Sequence, residues 1–191
     1  MQPDDAKSLP AIGFLTVIEH PQHGLFGGYL VLNPAGRPLE FHCTAPVKAN
    51  RAQEILYGPT LYPYLYGEQI GQTLVAKSKV APPVVLTDVE PALALREVTT
   101  TPVVLVLMDE KLTETGEQLA AGETSYRVDA PHRRVRLHTF AAGRHQLAVP
   151  TRFEAESSTL ARQLEIVAQQ MDLAEPFERI RDAISEAQKK P

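Results

Sequence analysis

The stretch FGGYLVLNPAGRPLEFHC, Phe26 to Cys43, decides how this chain folds. Two apolar runs flank NPAGRP, a segment of hairpin length rich in Pro and Gly. The first run is apolar on both alternating faces, the pattern of a strand covered on both sides. The second alternates, with Leu39, Phe41 and Cys43 on one face and Glu40, His42 and Thr44 on the other. This predicts a hairpin whose second strand turns Cys43 inward as a small buried hydrophobe. Adjacent strand residues point to opposite faces, so His42 and Cys43 do not form a nucleophile–base pair with each other.

Working outward, AIGFLTVIE (Ala11 to Glu19) is also apolar on both faces and reads as the first strand. HPQHG punctuates it. Residues 50–79 read as helical after a broken start, with Thr60 capping the second piece. Leu61, Leu65, Leu74 and Val75 lie near one stripe, and Gly67 and Gly71 allow close approach to a sheet. PPVVLTD is a short buried strand, and Asp88 is placed to cap the helix VEPALALREV. TPVVLVL is the fifth strand. A polar loop follows, then an extended hairpin around AAGR. Two amphipathic helices close the chain, with stripes Leu160/Leu164/Val167/Met171 and Phe177/Ile180/Ile184/Ala187. Pro176 sits in the first turn of the second, where proline is tolerated.

The expected fold is α/β: a mixed five-stranded sheet with strands 1–3 antiparallel, then βαβαβ, an added extended hairpin and two C-terminal helices. The expected divisions are a flexible tail (1–10), an α/β core (11–110), a loop and basic hairpin (111–155) and a helical pair (156–191). Phe14, Val17, Leu30, Val85 and Leu105 are the predicted core.

A chain of 191 residues, 43% hydrophobic and 22% charged, suits a folded domain with a substantial core. The single cysteine excludes an intrachain disulfide or a multi-cysteine zinc ribbon and suits a reducing cytoplasm. The longest pure apolar run, Val103 to Met108, is far shorter than the roughly 20 residues of a membrane span, so no membrane association is expected. The opening MQPDDAKSLP lacks a hydrophobic core and does not read as a signal peptide.

Two groups of residues carry candidate chemistry. Because hairpin strands run antiparallel, Glu19, His20, His23, His42 and Thr44 gather at one edge of the sheet. A fourth strand parallel to the first would bring Asp88 there, at the strand carboxyl ends that ligands favour. Glu19, His20, His23 and Asp88 are therefore candidate metal ligands. Each also has a plain structural reading: Asp88 as a helix cap, Glu19 as a solvated strand end. The second group is basic. Arg127, Arg133, Arg134, Arg136, Arg144 and Arg152 face only Asp129 between residues 127 and 152. Guanidinium forks suit phosphates, so Arg133, Arg134, Arg136 and Arg144 are candidate nucleic-acid contacts. The alternative is a solvated face paired with the acidic helices.

Over residues 11–108 the order of elements, with FGGYLVL after a short first loop, resembles the ribonuclease H-like fold. In that family, acidic residues on the first strand, first helix and fourth strand bind two divalent metals. Mg²⁺ or Mn²⁺ there activates water and steadies the leaving oxygen. The resemblance implies Glu19, Glu54 (in RAQE) and Asp88 as the matching catalytic carboxylates, with His42 nearby, and a nucleic-acid partner. The first strand carries Thr16 at its middle, and the family's aspartate is missing. The leading expectation is a nucleic-acid-associated domain, nuclease-like or degenerate. Roadblock- and longin-like interaction modules also combine a hairpin-rich sheet with helices. That resemblance implies a protein partner bound through the sheet edge or the C-terminal helices. A third expectation is a small-molecule enzyme using His20, His23, His42 and Asp88.

Overall fold

The computed structural model describes residues 9–108 and 135–189. Its centre is a seven-stranded mixed sheet of order β3-β2-β1-β4-β5-β7-β6. The strands are β1 (Ile12–His20), β2 (Gly24–Leu32), β3 (Pro38–Cys43), β4 (Val85–Thr87), β5 (Val103–Leu107), β6 (Leu137–Ala142) and β7 (His145–Pro150). β1 pairs antiparallel with β2 and parallel with β4. The five expected strands are present, and the count rises to seven for a simple reason. The basic hairpin does not stand apart: β7 pairs antiparallel with β5, with Leu105 opposite Ala148. The exposed edge that β5 would otherwise present is thereby closed.

The helical elements are α1 (Arg51–Tyr57), α2 (Leu61–Pro63), a π-helical segment (Tyr64–Gln72), α3 (Thr73–Lys77), α4 (Ser157–Ala168) and α5 (Glu175–Lys189). Short 3₁₀ segments cover Gly58–Thr60, Glu90–Glu97 and Thr151–Glu156. One face of the sheet, carrying Phe14, Leu30, Leu86 and Val104, packs against Leu164, Phe177 and Ile180 of α4 and α5. The other, carrying Leu15, Tyr29, Val85 and Leu105, packs against Leu65, Ile70, Leu74 and Leu95. All five predicted core residues are buried. The glycine doublet in β2 follows from this sandwich. A Cβ on Gly27 would come within 2.1 Å of Ile70 Cγ2, and one on Gly28 within 2.2 Å of Ile180 Cγ2. Successive residues face opposite sides, so each glycine admits one helix to the sheet.

Three local expectations are corrected. Thr60 caps no helix; its hydroxyl donates to the Tyr57 carbonyl at 2.8 Å. The helix start is set earlier, by a capping box in which Asn50 and Gln53 bond each other's backbone N–H. Asp88 does not cap the following segment, which is a 3₁₀ turn with Val89 at its N-cap and no side-chain bond there. In β3 the alternation is inverted: Leu39, Phe41 and Cys43 are exposed, and Glu40 and His42 are the half-buried residues. β3 is the sheet's edge, and the helices reach it from the side carrying Glu40. α5 spreads over β1 and β2 on the other side, so Cys43 is not buried.

Candidate functional site

The chain builds β1, β2 and β3 outward on one side, then crosses β1 to place β4 on the other. The order thus reverses between β1 and β4, the switch point at which open α/β sheets place ligands beyond the strand carboxyl ends. The register pairs Leu15 with Thr87. One position further along each chain come Thr16, in β1, and Asp88, directly after β4. Both lie on the face that α5 covers, since Gly28, the partner of Thr16 on β2, abuts Ile180 and Ile184. Thr16 is fully buried and Asp88 only 4% exposed. Arg181, from the second turn of α5, donates to Asp88 Oδ2, and to Glu178 Oε1 at 2.8 Å. Among the described residues, Asp88 Oδ1 and Thr16 Oγ1 have no hydrogen-bond partner. A guanidinium from α5 therefore pairs with Asp88 at the switch point.

The other predicted residues lie around this point without joining it. Glu19 is exposed and on the opposite face of β1, in line with Leu15 and Val17 and close enough to Tyr66 for its charge to raise that phenol. With burial as the larger cause, Tyr66 is pushed up to about 12. Glu54 sits on α1, which buries no residue, and pairs with Arg51 at 3.0 Å. The rings of His20, at the end of β1, and His23, in the turn to β2, lie 4.6 Å apart between centroids and tilted by 35°, and His20 Nδ1 accepts the N–H groups of Gln22 and His23. His42 is cross-strand from Tyr29, three strands from Asp88 and on the other face. Among the described residues, no three His, Cys, Asp or Glu side chains are grouped to hold a metal ion.

A second polar cluster, centred on Glu40 of the edge strand β3, joins residues far apart in sequence. Glu40 accepts from the Ser78 hydroxyl at 2.6 Å, from the Lys79 N–H at 3.0 and 3.1 Å, and lies 3.3 Å from His42 Nε2. The Ser78 bond leads in drawing its carboxyl down to about 2, helped by His42 and the backbone. The sequence signal was the half-polar alternation of β3; its partner Ser78 is 38 positions away. A carboxyl depressed in the folded state stabilises above its unfolded value, and the effect is lost as pH falls toward the folded value. The stability gap between the wild type and Glu40→Gln is thus expected to narrow as urea titrations move from pH 5 to about pH 2. A gap independent of pH would contradict the assignment.

Of the basic stretch, Arg127, Arg133, Arg134 and His132 lie outside the described residues. Arg144 pairs with Asp172, and Arg152 with Glu97. His145 is buried and accepts the Leu173 N–H at 3.2 Å. Arg136 is exposed, with no acidic partner among the described residues. The apolar stripes of α4 and α5 are occupied by the sheet of this same chain. Among the described residues, no helix is long and apolar enough to cross a membrane.

No protein-family model matches the chain, nor does any curated protein sequence. Among solved structures the chain is similar to the catalytic domain of human endonuclease V, at 16% identity and a TM-score of 0.47, covering 98% of this chain and 88% of that one. It is also similar to Ciona intestinalis endonuclease V in complex with a 24mer DNA containing an inosine followed by a ribo-adenosine, at 13% identity and a TM-score of 0.45, covering 94% and 87%. A variant of the Ciona enzyme bound to a 23mer of the same kind gives 14% identity and 0.40, covering 84% and 75%.

Proposed function

We propose that this chain is a non-catalytic, nucleic-acid-associated α/β domain of ribonuclease H-like strand order. The observation that carries the reading is the ion pair of Asp88 with Arg181 at the switch point. A two-metal centre needs several carboxylates converging on one pair of cations. Here the residues do not fit such a centre: the middle of β1 carries Thr16 and no carboxylate, Arg181 supplies the positive charge at Asp88, and Glu19 and Glu54 lie elsewhere. Binding without cleavage is the activity this arrangement supports. The basic stretch, with six arginines and one aspartate between residues 127 and 152, supplies the phosphate-binding character.

The full chain should retard single- or double-stranded DNA or RNA on native gels at low salt. Retardation should weaken steeply as salt rises, because each neutralised phosphate releases counterions. Arg134→Glu with Arg136→Glu should abolish it while thermal unfolding is unchanged. No retardation of any of these probes at low salt would remove the reading. A second reading would then lead, and a specific observation favours it. The edge strand β3 exposes Leu39 and Phe41, and α1 exposes Ile55 and Leu56, at 66% and 82%. Unpaired strand edges and clustered exposed apolar residues are the means by which interaction modules dock proteins.

A further inference from the structure

On the face of the sheet opposite Asp88, a cavity of about 70 Å³ opens beside Tyr29, lined also by Ser78, Thr101, Val75, Val80 and Pro82. Tyr29 is fully buried, and among the described residues its hydroxyl has no hydrogen-bond partner. That hydroxyl lies over Gly13, where a Cβ would come within 2.5 Å of it. Gly13 pairs with Val85, itself part of the cavity wall. The phenol end thus faces the cavity.

We propose that this cavity is a binding site for a neutral primary amide group, free or at the tip of a larger molecule. Its three polar groups dictate that chemistry. Burial, and then the nearby charge of Glu40, push the Tyr29 phenol up, so it stays protonated and donates. Ser78 does the reverse. Its hydroxyl proton goes to Glu40 Oε2 at 2.6 Å or to the Val80 carbonyl at 2.7 Å, which leaves its oxygen lone pairs to accept. The Thr101 hydroxyl can serve either way. A donor on Tyr29 and an acceptor on Ser78, both residues of the cavity wall, match an amide's C=O and NH₂. Glu40 repels an anion, and the valine and proline walls penalise a cation's loss of water. Size agrees, since a 150 Å³ cavity holds benzene and about half that volume suits three or four non-hydrogen atoms. The site lies on the other face from Asp88 and does not depend on how that residue is used.

The test is a titration of the ¹⁵N-labelled full chain with acetamide, acetate and methylammonium, followed by two-dimensional NMR. Acetamide should give saturable shifts at Gly13, Val75–Val80 and Thr101, with an affinity on the order of millimolar for so small a ligand. Acetate, its charged isostere, and methylammonium, a smaller cation, should give none there. Tyr29→Phe keeps the ring and removes the donor, so it should weaken acetamide binding about fivefold, the value of one neutral hydrogen bond. Ser78→Ala should weaken it similarly. The proposal fails if acetamide does not saturate these sites, if acetate shifts them equally, or if Tyr29→Phe binds as well as the wild type. It also fails if the only occupant is an ordered water on the Tyr29 hydroxyl that acetamide does not displace.

Discussion

Phe177→Ala is expected to cost about 3–5 kcal/mol in equilibrium unfolding. The ring is fully buried and meets Phe14 of β1 edge-on, at 5.6 Å between centroids and 72° between planes. Truncation loses the transfer energy of a phenyl group, leaves a cavity that rigid strands cannot collapse, and removes an aromatic contact. Domain stabilities are roughly 5–15 kcal/mol in total, so a large share would be gone. Because α5 is held to the sheet by Phe177, Ile180 and Ile184, the same change should loosen the cover over Asp88. Guanidinium titration measures the effect, and hydrogen exchange at α5 locates it. A loss under about 1 kcal/mol would mean that α5 does not pack as described.

Arg181→Ala is the second large effect. Removing one partner of a buried ion pair leaves the other charge buried and uncompensated, at a cost of roughly 3–5 kcal/mol. The Arg181 side chain is about one-third exposed while the Asp88 side chain is buried, so water screens part of the interaction and the loss should fall at the lower end of that range. Asp88→Leu combined with Arg181→Met should be far milder than the sum of the single changes, since it removes both charges together. Additive losses in this double-mutant cycle would show that the two residues do not act as a pair.

How much of this could be read beforehand depends on the range of the interaction. Strands β1 to β5 and the stripes of α4 and α5 are legible in local periodicity, and the short turns between β1, β2 and β3 give their antiparallel order. The apolar pattern of β2 shows a strand covered on both sides, and the structure adds that Gly27 and Gly28 each admit a helix, one on either face. β3 shows where periodicity runs out. Alternation separates Leu39 and Phe41 from Glu40 and His42 but does not say which face gains a cover. The residues after α3 cover the polar face, and Ser78 satisfies Glu40 there. Asp88 had a local reading as a helix cap, and no local signal pointed to Arg181, 93 positions away. The hairpin of β6 and β7 was visible, but its pairing with β5 is a choice of edge that neither strand's own sequence specifies.

The most direct test of the closed switch point is a cleavage assay. End-labelled single- and double-stranded DNA and RNA are incubated with the full chain and Mg²⁺ or Mn²⁺, then resolved on denaturing gels, beside native gels that establish binding. With Arg181 on Asp88, the probes should be retarded on the native gels and remain full length on the denaturing ones, for wild type and Asp88→Asn alike. Metal-dependent fragments from the wild type that disappear with Asp88→Asn would contradict the account, because they would make Asp88 a working carboxylate.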